Sequence, residues 1–263
     1  MTFAELERAA WNDPKVAGAY AALWRDFVAP SIPPLLDAAL VDSGDTVLDV
    51  AAGPGPVSAA AAARGAHPVA LDFSMAMLRL GDPAIPKMRA GAARIPARDA
   101  TFDRVVSNLG LLHLPDPDAA IREAARVVRP GGVVAFSVWG PDALALTIVP
   151  KALADLGLVR PGPAGPGFFR FGEPGAFEAA TRDAGLVPME SARVAWNGPL
   201  ASSDSLWRMF HEGSARTRAA ILALSAADQA RLRDEVVRRA QSFREGDRYA
   251  VPTSVVIGRG RRP

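Results

Sequence analysis

The chain has 263 residues, 49% of them hydrophobic and 22% charged, which suits a soluble globular protein of one large domain or one domain with an insertion. Its net charge is only +2, and the basic residues, nearly all arginine, are scattered among acids, so no nucleic-acid partner is expected. Cysteine is absent, which excludes disulfides, thiolate catalysis and Cys-bound metal.

No run approaches ~18 consecutive apolar residues, so no membrane span is expected. The opening "MTFAELERAAW" carries acids and lacks an apolar signal core, which makes the cytoplasm the expected location. Residues 3–40 read as helices: "FAELERAAW", then "KVAGAYAALWRDFV" after the start signal Asn12-Asp13-Pro14, then "SIPPLLDAAL" with its prolines near the start.

Next the texture changes. "TVLDV" (46–50), "PVALD" (68–72), "DRVVSNL" (103–109) and "VVAFSVW" (133–139) are strand-like. The helix former "SAAAAAR" separates the first two and stops at Gly65; "DPDAAIREAARVV" separates the last two and closes on "RPGG". Alternating strands and helices predict an α/β fold, a doubly wound, mostly parallel sheet with helices on both faces. From Pro161 a Pro/Gly-rich loop, "PGPAGPGFFRFGEPG", leads into the short helix "AFEAATRDAG" and the strand "LVPMESARVAW". "DSLWRMFHEGSARTRAAILAL" and "SAADQARLRDEVVRRAQSF" are two candidate helices within 200–246, and "VPTSVVIGRG" is a final strand.

The first strand runs into "GPGPVS", which fits a relaxed G-x-G-x-x-[GA] pattern with Ser58 in the third place. Asp72 ends the next strand and suits a ribose-binding acid. On these two features a dinucleotide site and an S-adenosylmethionine site look alike. Asp49, immediately before the loop, separates them: an anion there opposes a pyrophosphate and favours a ligand bringing a positive charge. Pro54 and Pro56 also remove two N–H donors that a phosphate cradle needs.

"VLDVAAGPG", "VALDFSMAML", "IPARDATFDRVVSNLGLLHLPDP" and "VVRPGGVVAFSVWG" stand in the order and spacing of the class I methyltransferases. Over about residues 45–141 the chain most resembles the UbiE-like, type 11 branch that acts on small molecules. The resemblance implies a Rossmann-like fold with a seven-stranded sheet, and S-adenosyl-L-methionine as cofactor, with S-adenosyl-L-homocysteine as product. It also implies three regions: an N-terminal helical lid (1–40), the cofactor-binding core (41–160), and a completion of the sheet (161–263) whose helical insertion at about 200–246 caps the substrate.

By the same resemblance, Asp49, Ala51, Gly53, Pro54 and Gly55 would lie beneath the methionine and ribose, with Ala51 acceptable in place of glycine if its φ is negative. Asp72 would take both ribose hydroxyls. Phe73 and Met77 would pack on adenine, and the backbone at Asn108 and Leu109 would meet the methionine amino group and the substrate. Tyr20 falls where N-terminal helices close over the cofactor. Where the family often has an acid in "GDA", this chain reads Gly91, Ala92, Ala93, so the adenine amino group must bond to backbone, water or another side chain.

Trp139, Phe168 and Trp207 are candidates for the substrate pocket, and His113 and His211 for a general base. His67 reads as solvent-facing, and the histidines lack metal-ligand spacing, so no metal is assigned. The expected activity is methyl transfer to an O, N or C nucleophile of a small, largely apolar molecule. The alternatives are a protein of this fold that binds the cofactor or a small ligand without methyl transfer, as scaffold or non-methylating enzyme, and a nicotinamide-dependent dehydrogenase.

Overall fold

The computed structural model describes all 263 residues. Its helices are α1 (Phe3–Asn12), α2 (Pro14–Leu23), α3 (Arg25–Val28), α4 (Ile32–Ala38), α5 (Pro56–Ala63), α6 (Met75–Leu78), α7 (Pro117–Val127), α8 (Leu144–Asp155), α9 (Ala176–Asp183), α10 (Ser203–Glu212), α11 (Arg216–Leu222) and α12 (Ala226–Ala240). The strands are β1 (Thr46–Val50), β2 (His67–Asp72), β3 (Lys87–Arg89), β4 (Phe102–Asn108), β5 (Val128–Trp139), β6 (Val187–Leu200), β7 (Arg244–Glu245) and β8 (Arg248–Arg261). They form one sheet in the order β3-β2-β1-β4-β5-β8-β6, with the short β7 paired to β8.

The chain divides into two compact units, each assembled from three segments. One comprises Pro30–Pro141, Gly165–Val194 and Val255–Pro263. In it β1 pairs in parallel with β2 on one side and β4 on the other, so Val47 lies between Pro68 and Arg104. β4 pairs in parallel with β5, whereas the last strand pairs with β5 antiparallel, Val133 opposite Arg261. Strand order reverses between β1 and β4, and the crevice outside their carboxyl ends is where ligands bind in open α/β sheets.

Alternation along each strand decides what covers the sheet. Leu48, Val50, Val105 and Phe136 are buried in one apolar cluster with Ile121 and Ala124 of α7 and Phe177 of α9. α4 and α5 pack together against β1, β2, β4 and β5. The alanine-rich α5 begins on Gly55, left-handed at φ +77°, has Pro56 in its first turn, and gives way to Gly65 at φ +82°. α7 starts where Asp116 accepts the Ala119 N–H at 2.8 Å, with Pro117 next in line.

The other unit comprises Met1–Ala29, Asp142–Ala164 and Ala195–Ser254 and is mostly helical. Trp24 sits at its centre, donating from Nε1 to the Met209 carbonyl at 3.1 Å and meeting Phe27 and Phe210 edge-on. A buried Glu7 accepts the Trp11 Nε1–H at 2.7 Å and faces Arg216 Nε at 3.5 Å.

Two boundaries differ from the sequence reading. α4, expected within the 1–40 lid, is part of the sheet unit, because its fully buried Leu35 and Leu36 belong to the layer formed with α5. α8, expected within the 41–160 core, packs on α10 and α12 of the helical unit. The single helix expected over 204–224 is also broken, into α10 and α11, at Gly213. A Cβ there would stand 2.8 Å from the Tyr20 backbone nitrogen, so α2 approaches α10 only because the side chain is missing. No helix is long and apolar enough to cross a membrane.

Candidate functional site

At the carboxyl end of β1 the backbone turns left-handed at Ala51 (φ +56°), Gly53 (φ +56°) and Gly55 (φ +77°). Ala51 thus departs from the expected negative φ, at a cost of about 1–2 kcal/mol for a residue with a Cβ. The reason lies opposite, in the turn after β4, where Leu109 is also left-handed at φ +59° and is followed by Gly110. A Cβ on Gly110 would stand 2.8 Å from the Ala51 Cβ and 2.5 Å from the Ser107 hydroxyl. The methyl group of Ala51 fills the space that Gly110 leaves empty. At Gly53 a Cβ would meet nothing within 4 Å, so the loop is open on that side.

Asp49 is buried below this loop, 1% exposed, pointing away from the apolar face that Leu48 and Val50 share. Its Oδ2 accepts the Ser58 backbone N–H at 3.0 Å and the Ser58 hydroxyl at 2.7 Å, tying β1 to the first turn of α5. Its Oδ1 is buried with no hydrogen-bond partner. Burial raises the carboxyl to about 7, against the opposing effect of the two Ser58 bonds and with help from the neighbouring charge of Asp72. The standing anion inferred from sequence is therefore corrected: near neutral pH Asp49 exists as both acid and anion, until a cation arrives.

Asp72, at the end of β2, divides its carboxylate between two backbone amides. Gly53 N–H donates to Oδ2 at 2.9 Å and Ser74 N–H to Oδ1 at 2.8 Å. Burial pushes Asp72 above the ordinary carboxylate range, opposed by these amides and by the charge of His113. His113 itself is half-buried in the short 3-10 turn Leu111–His113 after β4. Ser74 also accepts the Met77 N–H at 3.1 Å and so caps α6. Phe73 is half-exposed while Met77 is buried, 4% exposed. Ala92 is buried and Ala93 exposed in the turn after β3.

Asn108 closes β4. Its Oδ1 accepts the Ser137 hydroxyl at 2.5 Å and the Ser31 hydroxyl at 3.0 Å, and the Ser137 oxygen in turn accepts the Leu109 N–H at 3.1 Å. Trp139 is buried at the end of β5, and Phe168 lies half-buried in the Pro/Gly-rich loop, edge-on to Phe169 at 5.0 Å.

The sheet unit therefore holds Asp49, Ala51, Gly53, Pro54, Gly55, Asp72, Phe73, Met77, Ala92, Ala93, Asn108, Leu109, His113, Trp139 and Phe168. Tyr20, Trp207 and His211 lie in the helical unit, where Tyr20 stacks on Trp24 and Trp207 stacks on His211 with ring centroids 5.0 Å apart. The hydrogen-bonding roles of four serines escaped the sequence reading. Ser58 and Ser74 carry a legible signal, one in the third glycine place and the other two residues beyond an aspartate, where an Asx turn forms. Ser31 and Ser137 carry none, since only the folded sheet brings them to Asn108.

Residues 48–136 match the methyltransferase-domain family of type 11. The chain is 35% identical over 145 residues to an uncharacterized protein of Mycobacterium tuberculosis, covering 52% of each. It is 45% identical over 95 residues to the demethylmenaquinone methyltransferase of Corynebacterium urealyticum, covering 36% of this chain and 41% of that one. The chain thus spans about half the length, or less, of these curated relatives. Among solved structures it shares its fold with a Haemonchus contortus phosphoethanolamine N-methyltransferase in complex with S-adenosyl-L-methionine. That match has a TM-score of 0.59 at 15% identity and covers all of this chain and 60% of that one.

Proposed function

We propose that the protein binds S-adenosyl-L-methionine and transfers its methyl group to an O, N or C nucleophile of a small, largely apolar molecule, a reading supported by the match of residues 48–136 to the type 11 methyltransferase family. The observation that carries this reading is the pair of buried carboxylates flanking the glycine loop, both with acceptor capacity left unused. Asp49 Oδ1 has no donor, and an ammonium supplies both the missing hydrogen bond and the charge that stabilises the anion. Each oxygen of Asp72 holds one amide and keeps a lone pair, which matches the two vicinal hydroxyls of a ribose. A pyrophosphate fits badly: Pro54 and Pro56 offer no N–H, and Asp49 repels it whenever ionised.

When bound, the sulfonium supplies an electrophilic methyl and its own neutral leaving group. The nucleophile gives an electron pair to the methyl carbon, the C–S bond breaks with its pair kept by sulfur, and any proton on the nucleophile passes to a base or to water. The chain's own work is to hold, align and dry the reactants, which lowers barriers by about 7–11 kcal/mol in favourable cases. Here Ala51, Gly53 and Gly55 form the floor, Phe73 and Met77 receive the adenine, and the backbone about Ala92 and Ala93 offers its edge polar groups in place of the missing acid. Trp139 and Phe168 supply apolar surface for the acceptor, and His113 is the candidate base of this unit.

Isothermal calorimetry with S-adenosyl-L-homocysteine and, in parallel, NADH tests the reading. Binding of the first and not the second is expected. No heat from S-adenosyl-L-homocysteine at millimolar concentration would overturn it. Binding followed by no methylated product from a broad panel of acceptors would point instead to a scaffold or a non-methylating enzyme.

A further inference from the structure

We propose that Asn108 decides which kind of atom is methylated: its side chain, locked by Ser31 and Ser137, offers a bound acceptor only hydrogen-bond donors and so selects a phenolate oxygen over an amine. This rests on the methyl-transfer reading and names a substrate class within it.

The carboxamide of Asn108 has one acceptor end and one donor end, and the surrounding hydroxyls fix which faces inward. The Ser137 hydroxyl donates to Asn108 Oδ1, so the amide oxygen points at the serine. The Ser137 oxygen is occupied by the Leu109 N–H at 3.1 Å, which leaves its proton to Asn108. Ser31 delivers a second hydroxyl to the same Oδ1 at 3.0 Å. Both serines are completely buried, so water does not compete for these bonds. The two lone pairs of Oδ1 are thereby used.

The other end of the carboxamide is free. Both hydrogen bonds of the Asn108 side chain fall on Oδ1 and none on its NH2, and the residue is half-buried at the carboxyl end of β4, on the β1–β4 crevice. A molecule bonded to this end of the carboxamide meets two N–H groups and no acceptor of Asn108 itself. An amine or ammonium brings further N–H donors, which this end of the amide does not accept. A phenolate oxygen brings lone pairs and negative charge, and a charge-assisted hydrogen bond is roughly twice as strong as a neutral one. Two hydroxyl protons on Oδ1 polarise the amide further in that direction.

The phenol enters as its anion, its proton already lost to solvent. One oxygen lone pair is held by Asn108, another forms the new O–C bond, and the C–S bond breaks with its electrons going to sulfur. The charges −1 and +1 cancel, leaving a methyl ether and a thioether. Ser31 and Ser137 touch neither reactant; they are positioning residues that act through Asn108.

4-Nitrocatechol, whose visible absorbance reports its ionisation, tests this at saturating S-adenosyl-L-homocysteine, with benzylamine as the amine probe. The wild-type protein is expected to bind the nitrocatecholate at least about tenfold more tightly than benzylamine and to lower the probe's apparent pKa. Asn108→Asp, which turns the donor end into an acceptor, weakens nitrocatecholate binding by about tenfold or more and raises that pKa. Ser137→Ala frees the amide to rotate and gives an intermediate loss, which Ser137→Thr restores because its hydroxyl survives. Wild-type protein that binds no S-adenosyl-L-homocysteine defeats the methyl-transfer reading itself. Protein that binds it but fails to bind the nitrocatecholate, prefers benzylamine, or responds alike in wild type and Asn108→Asp overturns the proposal alone.

Discussion

Asp72 is bonded to Gly53 across the turn, its Oδ2 taking the Gly53 N–H at 2.9 Å and joining the end of β2 to the loop after β1. The same carboxylate steadies the loop and presents the acceptors assigned to the ribose. Asp72→Ala should weaken S-adenosyl-L-homocysteine binding by more than about tenfold, the worth of one charged hydrogen bond. Calorimetry reads the change, and an affinity within about threefold of wild type would sink the assignment.

Asp49 makes the stability of the unliganded protein depend on pH. Its carboxyl titrates at 3.8 in the unfolded chain and at about 7 when folded, so between these values the folded state holds more protons. The contribution of Asp49 is therefore fully present below 3.8, falls as pH rises, and is lost above about 7, a change of up to about 4 kcal/mol. Asp72, also raised by burial, acts in the same direction. Urea titrations across this range should show the decline in wild type and a shallower one in Asp49→Asn.

A cationic ligand beside Asp49 reverses the proton balance. Binding at about pH 6 should expel a proton, and the heat should then differ between buffers of different ionisation enthalpy. Equal heats in such a pair, at a pH below 7, would show that Asp49 does not meet the ligand's charge.

Ala51 and Gly110 share one small space, so their substitutions should not add. Gly110→Ala places a Cβ 2.8 Å from that of Ala51 and should cost about 1–3 kcal/mol. Ala51→Gly removes both the crowding methyl and the left-handed strain. The double variant should recover part of the Gly110→Ala loss, a coupling that a thermal-melt double-mutant cycle detects.

In the helical unit the buried Glu7 depends on Trp11. Trp11→Phe keeps the ring's bulk but deletes the Nε1–H that Glu7 accepts at 2.7 Å, and should cost about 1–3 kcal/mol. For a chain of this size that is a drop of several degrees in melting temperature, about 2–4 °C per kcal/mol. A melt unchanged from wild type would mean that Arg216 alone satisfies the carboxylate.

Much of the sheet was legible because its strands are buried on both faces and read as short apolar runs: β1, β2, β4 and the later part of β5 fall where the composition puts them. The turn at Gly53 and Gly55 was legible too, since glycine is the residue that adopts positive φ freely. Ala51 was not, because its conformation is imposed by Gly110, 59 positions further on. The break at Gly213 was hidden for a similar reason: a lone glycine within a helical pattern is tolerated, and only the approach of α2 makes it a boundary. The lock on Asn108 joins Ser31, Asn108 and Ser137, which share no local pattern, so nothing short of the folded sheet could reveal it. β6 extends to Leu200, beyond the run first read, through Asn197-Gly198-Pro199-Leu200, whose alternating burial is hidden because glycine and proline read as strand breakers.

The interleaving of the two units bears on how the protein is made. The chain passes from one unit to the other after Ala29, Pro141, Ala164, Val194 and Ser254. Trp24 finds its hydrogen-bond partner Met209 185 positions later, and β5 waits for β8 to cover its edge. Such long-range closure slows folding and leaves aromatic surface and an unpaired strand exposed during synthesis. Yield in cells should accordingly respond to translation speed and chaperone supply, whatever the finished protein's equilibrium stability.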